Sequence, residues 1–281
     1  MKQDATRRQF LVGVGVVGTA ALAGCTDAGN TGGSQPTTDE EMTEGTEAGM
    51  DDGSMDNESM DDSDGTMATT LTVRVENVST AETLQTSDGS KPGVLAPVAY
   101  AVHGEDASLF TEGEAASPGL ETLAEDGGPD GLVEEASMSV ESAGAAAVPE
   151  GGDEPGPITP GGAYTFSVEA HAGQRLSLAT MFVQSNDLFY APETSGIPLF
   201  DGDQPVEGDL TDRLILWDAG TEVNEEPGVG ANQAPRQSGP DTGPAEDGVV
   251  RRIDDVDDGF DYPDTASVIK LTVSTGEMMD G

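Results

Sequence analysis

The chain has 281 residues, of which 54 are Asp or Glu and 11 are Lys or Arg, for a formal net charge of −43. That balance argues against nucleic acid and anionic membrane surfaces as partners, since both repel it. A single cysteine, Cys25, excludes an intramolecular disulfide and any Cys-built zinc or iron–sulfur site.

With 38 Gly, 17 Pro and 4 % aromatic residues, the composition suits strands joined by turns around a core of Val, Leu, Ile and Ala. The segment before Cys25 holds Lys2, Arg7 and Arg8 against one acid, Asp4, so the acidity belongs to the chain beyond Cys25. In dilute buffer such a charge opposes compaction by self-repulsion. In molar salt the screening length falls to about 3 Å. The composition therefore points to adaptation to very high salt, as in halophilic archaea.

The chain opens on Thr6-Arg7-Arg8-Gln9-Phe10-Leu11 and an apolar run to Ala23. That run is shorter than the roughly 20 residues that span a bilayer, so it reads as a secretory signal over 1–24. Arg7 and Arg8 resemble the twin-arginine export motif, and Leu22-Ala23-Gly24-Cys25 resembles a lipobox, cut before a cysteine that takes a lipid. The expected location is the outer face of the cytoplasmic membrane, with the lipid on Cys25 as the membrane contact. Gly13-Val14-Gly15-Val16-Val17-Gly18 fits GxGxxG but lies inside the signal, without the flanking strand and helix that a dinucleotide site needs.

Residues 25–68 read as a disordered acidic linker. From 26 onward they contain no Val, Ile, Leu or aromatic residue, and they carry 13 Asp and Glu with no Lys or Arg. Too little apolar surface is present to offset the ordering entropy. A loose repeat runs through Met50, Met55, Met60 and Met67. Thioethers are copper(I) ligands, but no His or Cys accompanies them, and linker drift is the plainer reading. Asn57-Glu58-Ser59 and Asn77-Val78-Ser79 match the glycosylation tripeptide.

The domain spans 69–276, with a tail over 277–281. Leu71, Val73 and Val75 alternate with polar residues, as do Ile269, Leu271 and Val273, so two half-buried strands bracket it. Further strands are predicted at 94–103, 163–170, 175–184 and 213–217, with weaker candidates at 137–141 and 197–200. A short helix is predicted from Gly119 to Ala124. Long polar loops fall at 104–131, 149–160 and 223–262. The fold class is all-β, an antiparallel β-sandwich of about eight strands. His103 and His171, the two histidines, read as surface or turn residues.

No GxSxG elbow, phosphate-binding loop or HExxH occurs, and the usual nucleophile and base sets are nearly excluded. Acids stand out at two strand ends, Gln184-Ser185-Asn186-Asp187-Leu188-Phe189 and Leu216-Trp217-Asp218-Ala219-Gly220-Thr221-Glu222. The small Ala-Gly-Thr turn lets the Asp218 and Glu222 carboxylates converge, and calcium takes several oxygens from such loops. A capped turn in an acidic surface is the competing account.

Pro92-Gly93-Val94-Leu95-Ala96-Pro97, Leu123-Ala124-Glu125-Asp126-Gly127, Ser185-Asn186-Asp187-Leu188-Phe189 and Trp217-Asp218-Ala219-Gly220-Thr221-Glu222 occur in that order. Together they resemble the spondin N-terminal domain, over about residues 70–275. The resemblance implies an eight-stranded sandwich of the C2 type and a calcium site at one end. In it Asp218 and Glu222 would be ligands and Asp187 a third. The family's disulfide cysteines are missing here, and Leu188 stands where a bulkier aromatic is often found.

The function expected is a non-enzymatic, lipid-anchored binding or adhesion module with an extracellular protein or glycan partner. The alternatives are a ligand-capturing lipoprotein for a transporter or sensor, which needs an enclosed apolar pocket, and a two-carboxylate hydrolase, which needs an acid pair in a cleft.

Overall fold

The computed structural model describes residues 68–140 and 142–276. Arg7, Arg8, Cys25, the linker to 67 and the tail lie outside the described residues.

Eight strands of five residues or more build the fold. They are β1 (Thr69–Asn77), β4 (Val98–His103), β5 (Ser142–Ala146), β6 (Ala163–Ala170), β7 (Arg175–Met181), β8 (Leu188–Pro192), β13 (Leu214–Asp218) and β15 (Ile269–Thr275). Short strands add to them: β2 (Leu84–Thr86), β3 (Gly89–Lys91), β9 (Ile197–Pro198), β10 (Phe200–Asp201), β11 (Gln204–Pro205), β12 (Gly208–Asp209) and β14 (Arg251–Arg252). One sheet has the order β12-β15-β1-β6; the other runs β14-β13-β8-β7-β4-β5, with β9 on β7. The pairings within both are antiparallel.

The bracketing strands β1 and β15 pair directly, with Val73 opposite Val273. Their period-two alternation turns one face to the core. Leu71, Val73, Val75, Leu271 and Val273 pack there against Val98, Val102, Leu176, Leu178, Tyr190 and Leu216 of the second sheet. The sandwich expected from sequence is thus present, with one addition. The second sheet is covered on its other face as well. Helix α1 (Pro118–Asp126) and helix α2 (Asp130–Ser137) lay Leu120, Leu123, Leu132 and Ala136 over Ala99, Ala101, Phe189, Ala191 and Trp217. Helix α1 contains the short helix predicted over 119–124, capped by Ser117, whose hydroxyl accepts from the Leu120 N–H, and closed by Gly127 in the left-handed conformation.

Several expectations are corrected. The 104–131 loop is not wholly irregular, since it carries α1 and the start of α2. The weak strand at 137–141 does not form there: Met138 caps α2, and the strand begins at Ser142. The stretch ending at 184 stops as a strand at Met181, and a tight turn leads into β8, which alternation cannot reveal because Leu188–Pro192 is buried on both faces. His103 is not a surface residue. It is buried at the end of β4, with Nε2 2.7 Å from the Ser177 hydroxyl and Nδ1 2.6 Å from the Gly104 carbonyl. Asn77 is also buried, and its amide donates to the Gly93 and Ile158 carbonyls, which bars that tripeptide as a glycan acceptor in the folded domain.

Candidate metal centre

Strands β8 and β13 run antiparallel with Leu188 opposite Asp218. Asp187 closes the β7–β8 turn and Asp218 ends β13, so their two carboxylates arise side by side at one end of the sandwich. The turn is fixed locally. The Ser185 hydroxyl donates to the Phe182 carbonyl and accepts from the Leu188 N–H, while the Phe182 N–H reaches the Leu188 carbonyl. Both acids are 0 % exposed.

Asp187 Oδ2 accepts from the Thr221 N–H at 2.8 Å, the Glu222 N–H at 3.1 Å and the Thr221 hydroxyl at 3.2 Å. Its other oxygen, Oδ1, is buried and has no hydrogen-bond partner. Burial first, and then the Asp218 charge, push the Asp187 carboxyl up to about 7 against those donors. Asp218 Oδ1 accepts from the Gly220 N–H at 2.7 Å. Its Oδ2 accepts from Asn224 Nδ2 at 2.8 Å and from Arg251 Nη2 at 3.2 Å. Burial raises its pKa also, with the Arg251 charge the largest opposing influence.

Glu222 joins this pair through its main chain only. Its carboxylate turns the other way, with Oε2 accepting from Asn186 Nδ2 at 3.2 Å and Oε1 from the Gly243 N–H at 2.7 Å. A Cβ at Gly243 would lie 2.1 Å from Glu222 Oε2, so a side chain there would displace the Glu222 carboxylate. Burial raises the Glu222 pKa against the hydrogen bonds from Asn186 and Gly243, and the Asp241 and Asp126 charges add to the rise. Asp241 belongs to a second cluster, where carboxylate oxygens of Glu121, Glu125 and Asp241 lie within 4.8 Å of one another. Glu125 is 3 % exposed, and burial pushes its carboxyl up to about 7 while a hydrogen bond with the Thr221 side chain pulls the other way. Thr221 therefore stands between the two clusters.

The 218–222 turn thus places Asp218 beside Asp187 and points the Glu222 carboxylate toward Glu125. Four site residues escape a reading by sequence position alone. Asn186 and Glu125 lie inside the ordered motifs but carry no sign of their burial. Asn224 and Arg251 give no local signal, since Arg251 reaches Asp218 only through the β13–β14 pairing. No protein-family model matches this chain, and no curated protein is similar to it in sequence.

Three of the four carboxylate oxygens of Asp187 and Asp218 are held by N–H groups, and the fourth, Asp187 Oδ1, is buried and unpartnered close to a second acid; an oxygen of this kind is a ligand for hard rather than soft cations.

Proposed function

We propose that this chain is a spondin-type surface module, exported through Arg7 and Arg8 and anchored by a lipid on Cys25, in which calcium holds one end of the sandwich. The observation that carries the metal reading is Asp187, fully buried with Oδ1 unpartnered beside an equally buried Asp218. Leaving a polar atom so buried costs about 1–3 kcal/mol, and more for a charged group. A divalent cation removes that cost and the repulsion between the two acids. Asp187 and Asp218 would hold the ion, and Glu222 would join by turning its carboxylate back from Asn186.

The ion's part is structural: it ties the β7–β8 turn to the turn after β13 and stabilises the fold by mass action. The reading is non-enzymatic, because both carboxylates are shielded from any substrate. The partner is an extracellular protein or glycan met by the loops at the sandwich ends. The acidic composition further supports a working medium of molar salt.

A thermal melt in molar salt, first with chelator and then with millimolar calcium, tests the metal reading on wild type and Asp218→Asn. Calcium should raise the wild-type melting temperature by several degrees and leave the variant unmoved. An equal rise in the variant would put the ion elsewhere, and no rise in wild type would return these acids to ordinary turn chemistry.

A further inference from the structure

Eleven basic residues serve a chain with 54 acids, and one of them stands on the site itself. Arg251 lies opposite Asp218 in the β13–β14 pairing. Its Nη2 is 3.2 Å from Asp218 Oδ2 and 2.8 Å from Glu246 Oε1. The position is set by backbone rather than by side-chain drift. The Gly248 N–H reaches the Gly220 carbonyl, and Val250 exchanges hydrogen bonds with Glu114 and Gly113. The guanidinium is nevertheless incompletely held, because Nε is buried with no hydrogen-bond partner. Beside it opens a cleft of about 430 Å³ lined by Asn224, Glu246, Asp255, Asp257 and Asp258, so a cation leaving Asp218 has other acids to meet.

We propose that Arg251 is an internal counter-cation which holds Asp218 in the ion-free protein and competes with calcium for it, setting the affinity of the site. The inference rests on the calcium reading above. A guanidinium and a divalent ion on one carboxylate repel each other, so calcium must displace Arg251 or bind against its field. Whatever stability Arg251 lends the ion-free state is withdrawn from calcium binding. Removing it should weaken the ion-free fold and tighten the ion.

The test is calorimetric titration of calcium into the full chain in molar potassium chloride, with melts in chelator and in saturating calcium. Arg251→Gln should tighten the dissociation constant about tenfold or more, the equivalent of one part-buried charge contact. It should also lower the melting temperature in chelator and leave it near wild type in calcium. Arg251→Lys keeps the charge, and with it the ion-free fold, but gives up the guanidinium's planar donor set; it should tighten binding by about threefold. Arg252→Gln removes the same net charge from the next residue, whose partners are Glu112, Glu193 and the Trp217 ring, and should leave the constant within about twofold.

Binding by both Arg251 variants that is equal to wild type or weaker overturns the inference and leaves the calcium reading standing. Tightening by Arg252→Gln as large as by Arg251→Gln also overturns it, since the cause would be net charge. Binding by Arg251→Gln where wild type shows none keeps the inference and removes calcium from the native chain. Binding by neither removes both.

Discussion

Asp187 concentrates the chemistry of the site in one side chain. One oxygen is saturated by three donors and the other is orphaned, so the group is oriented without being neutralised. Its folded pKa is raised to about 7, well above its ordinary value near 3.8. A carboxyl whose folded pKa is raised binds its proton more tightly in the native state. Its contribution to stability is full below the unfolded pKa and is lost as pH climbs through the folded one. Glu125 acts in the same direction over the same window. Without calcium, stability should therefore fall between about pH 4 and pH 7, as urea unfolding at several pH values would report. Asp187→Asn should flatten part of that fall and stabilise the ion-free protein at pH 8 by about 1–3 kcal/mol. A variant that kept the wild-type slope would show that Asp187 is not the group responsible.

Among the elements, the turn after β13 shows how a short local motif recruits distant chain. Gly220 has φ +70°, and a Cβ there would lie 2.7 Å from both the N and O of Val249. The glycine is needed for the left-handed bend and for the close approach of the 248–252 segment that brings Arg251 to Asp218. Gly220→Ala should cost the ion-free protein about 1–3 kcal/mol in denaturant unfolding. A neutral result would mean that the segment can part from the turn without consequence.

The same region marks the limit of what the sequence discloses. Strands β1 and β15 are legible because one face meets solvent and alternation survives. Strand β8 is not, since Leu-Phe-Tyr-Ala-Pro is buried on both sides and has no period. Helix α2 lacks a side-chain cap, so its start at Asp130 is marked only by Pro129 and the acid itself. Asp187 and Asp218 are legible because each borders an apolar strand. The direction of the Glu222 carboxylate is not, because it depends on Gly243 and Asn186 arriving from other loops.

At the scale of the whole molecule, the net charge of −43 is the dominant fact. The ion pairs at the surface, such as Arg74 with Glu76 and Glu150 or Arg252 with Glu193, are partly exposed and offset little of it. The proposed adaptation to high salt predicts that circular dichroism shows loss of strand signal as salt falls from molar to about 0.1 M. Equal thermal stability at both salts would refute it. The proposed calcium site and the proposed salt requirement would act on different levels, the salt on the whole surface and the ion on one buried end.

That separation makes a local probe the most direct test. Trp217, the chain's single tryptophan, adjoins Asp218 and is fully buried. Terbium, a hard cation that replaces calcium, should emit when Trp217 is excited in molar salt, and calcium should quench that emission by displacement. Calcium held by Asp187 and Asp218 predicts saturable emission that Asp187→Asn abolishes and Glu121→Gln leaves intact. Emission untouched by Asp187→Asn but lost with Glu121→Gln would contradict that placement and put the ion in the neighbouring acid cluster instead.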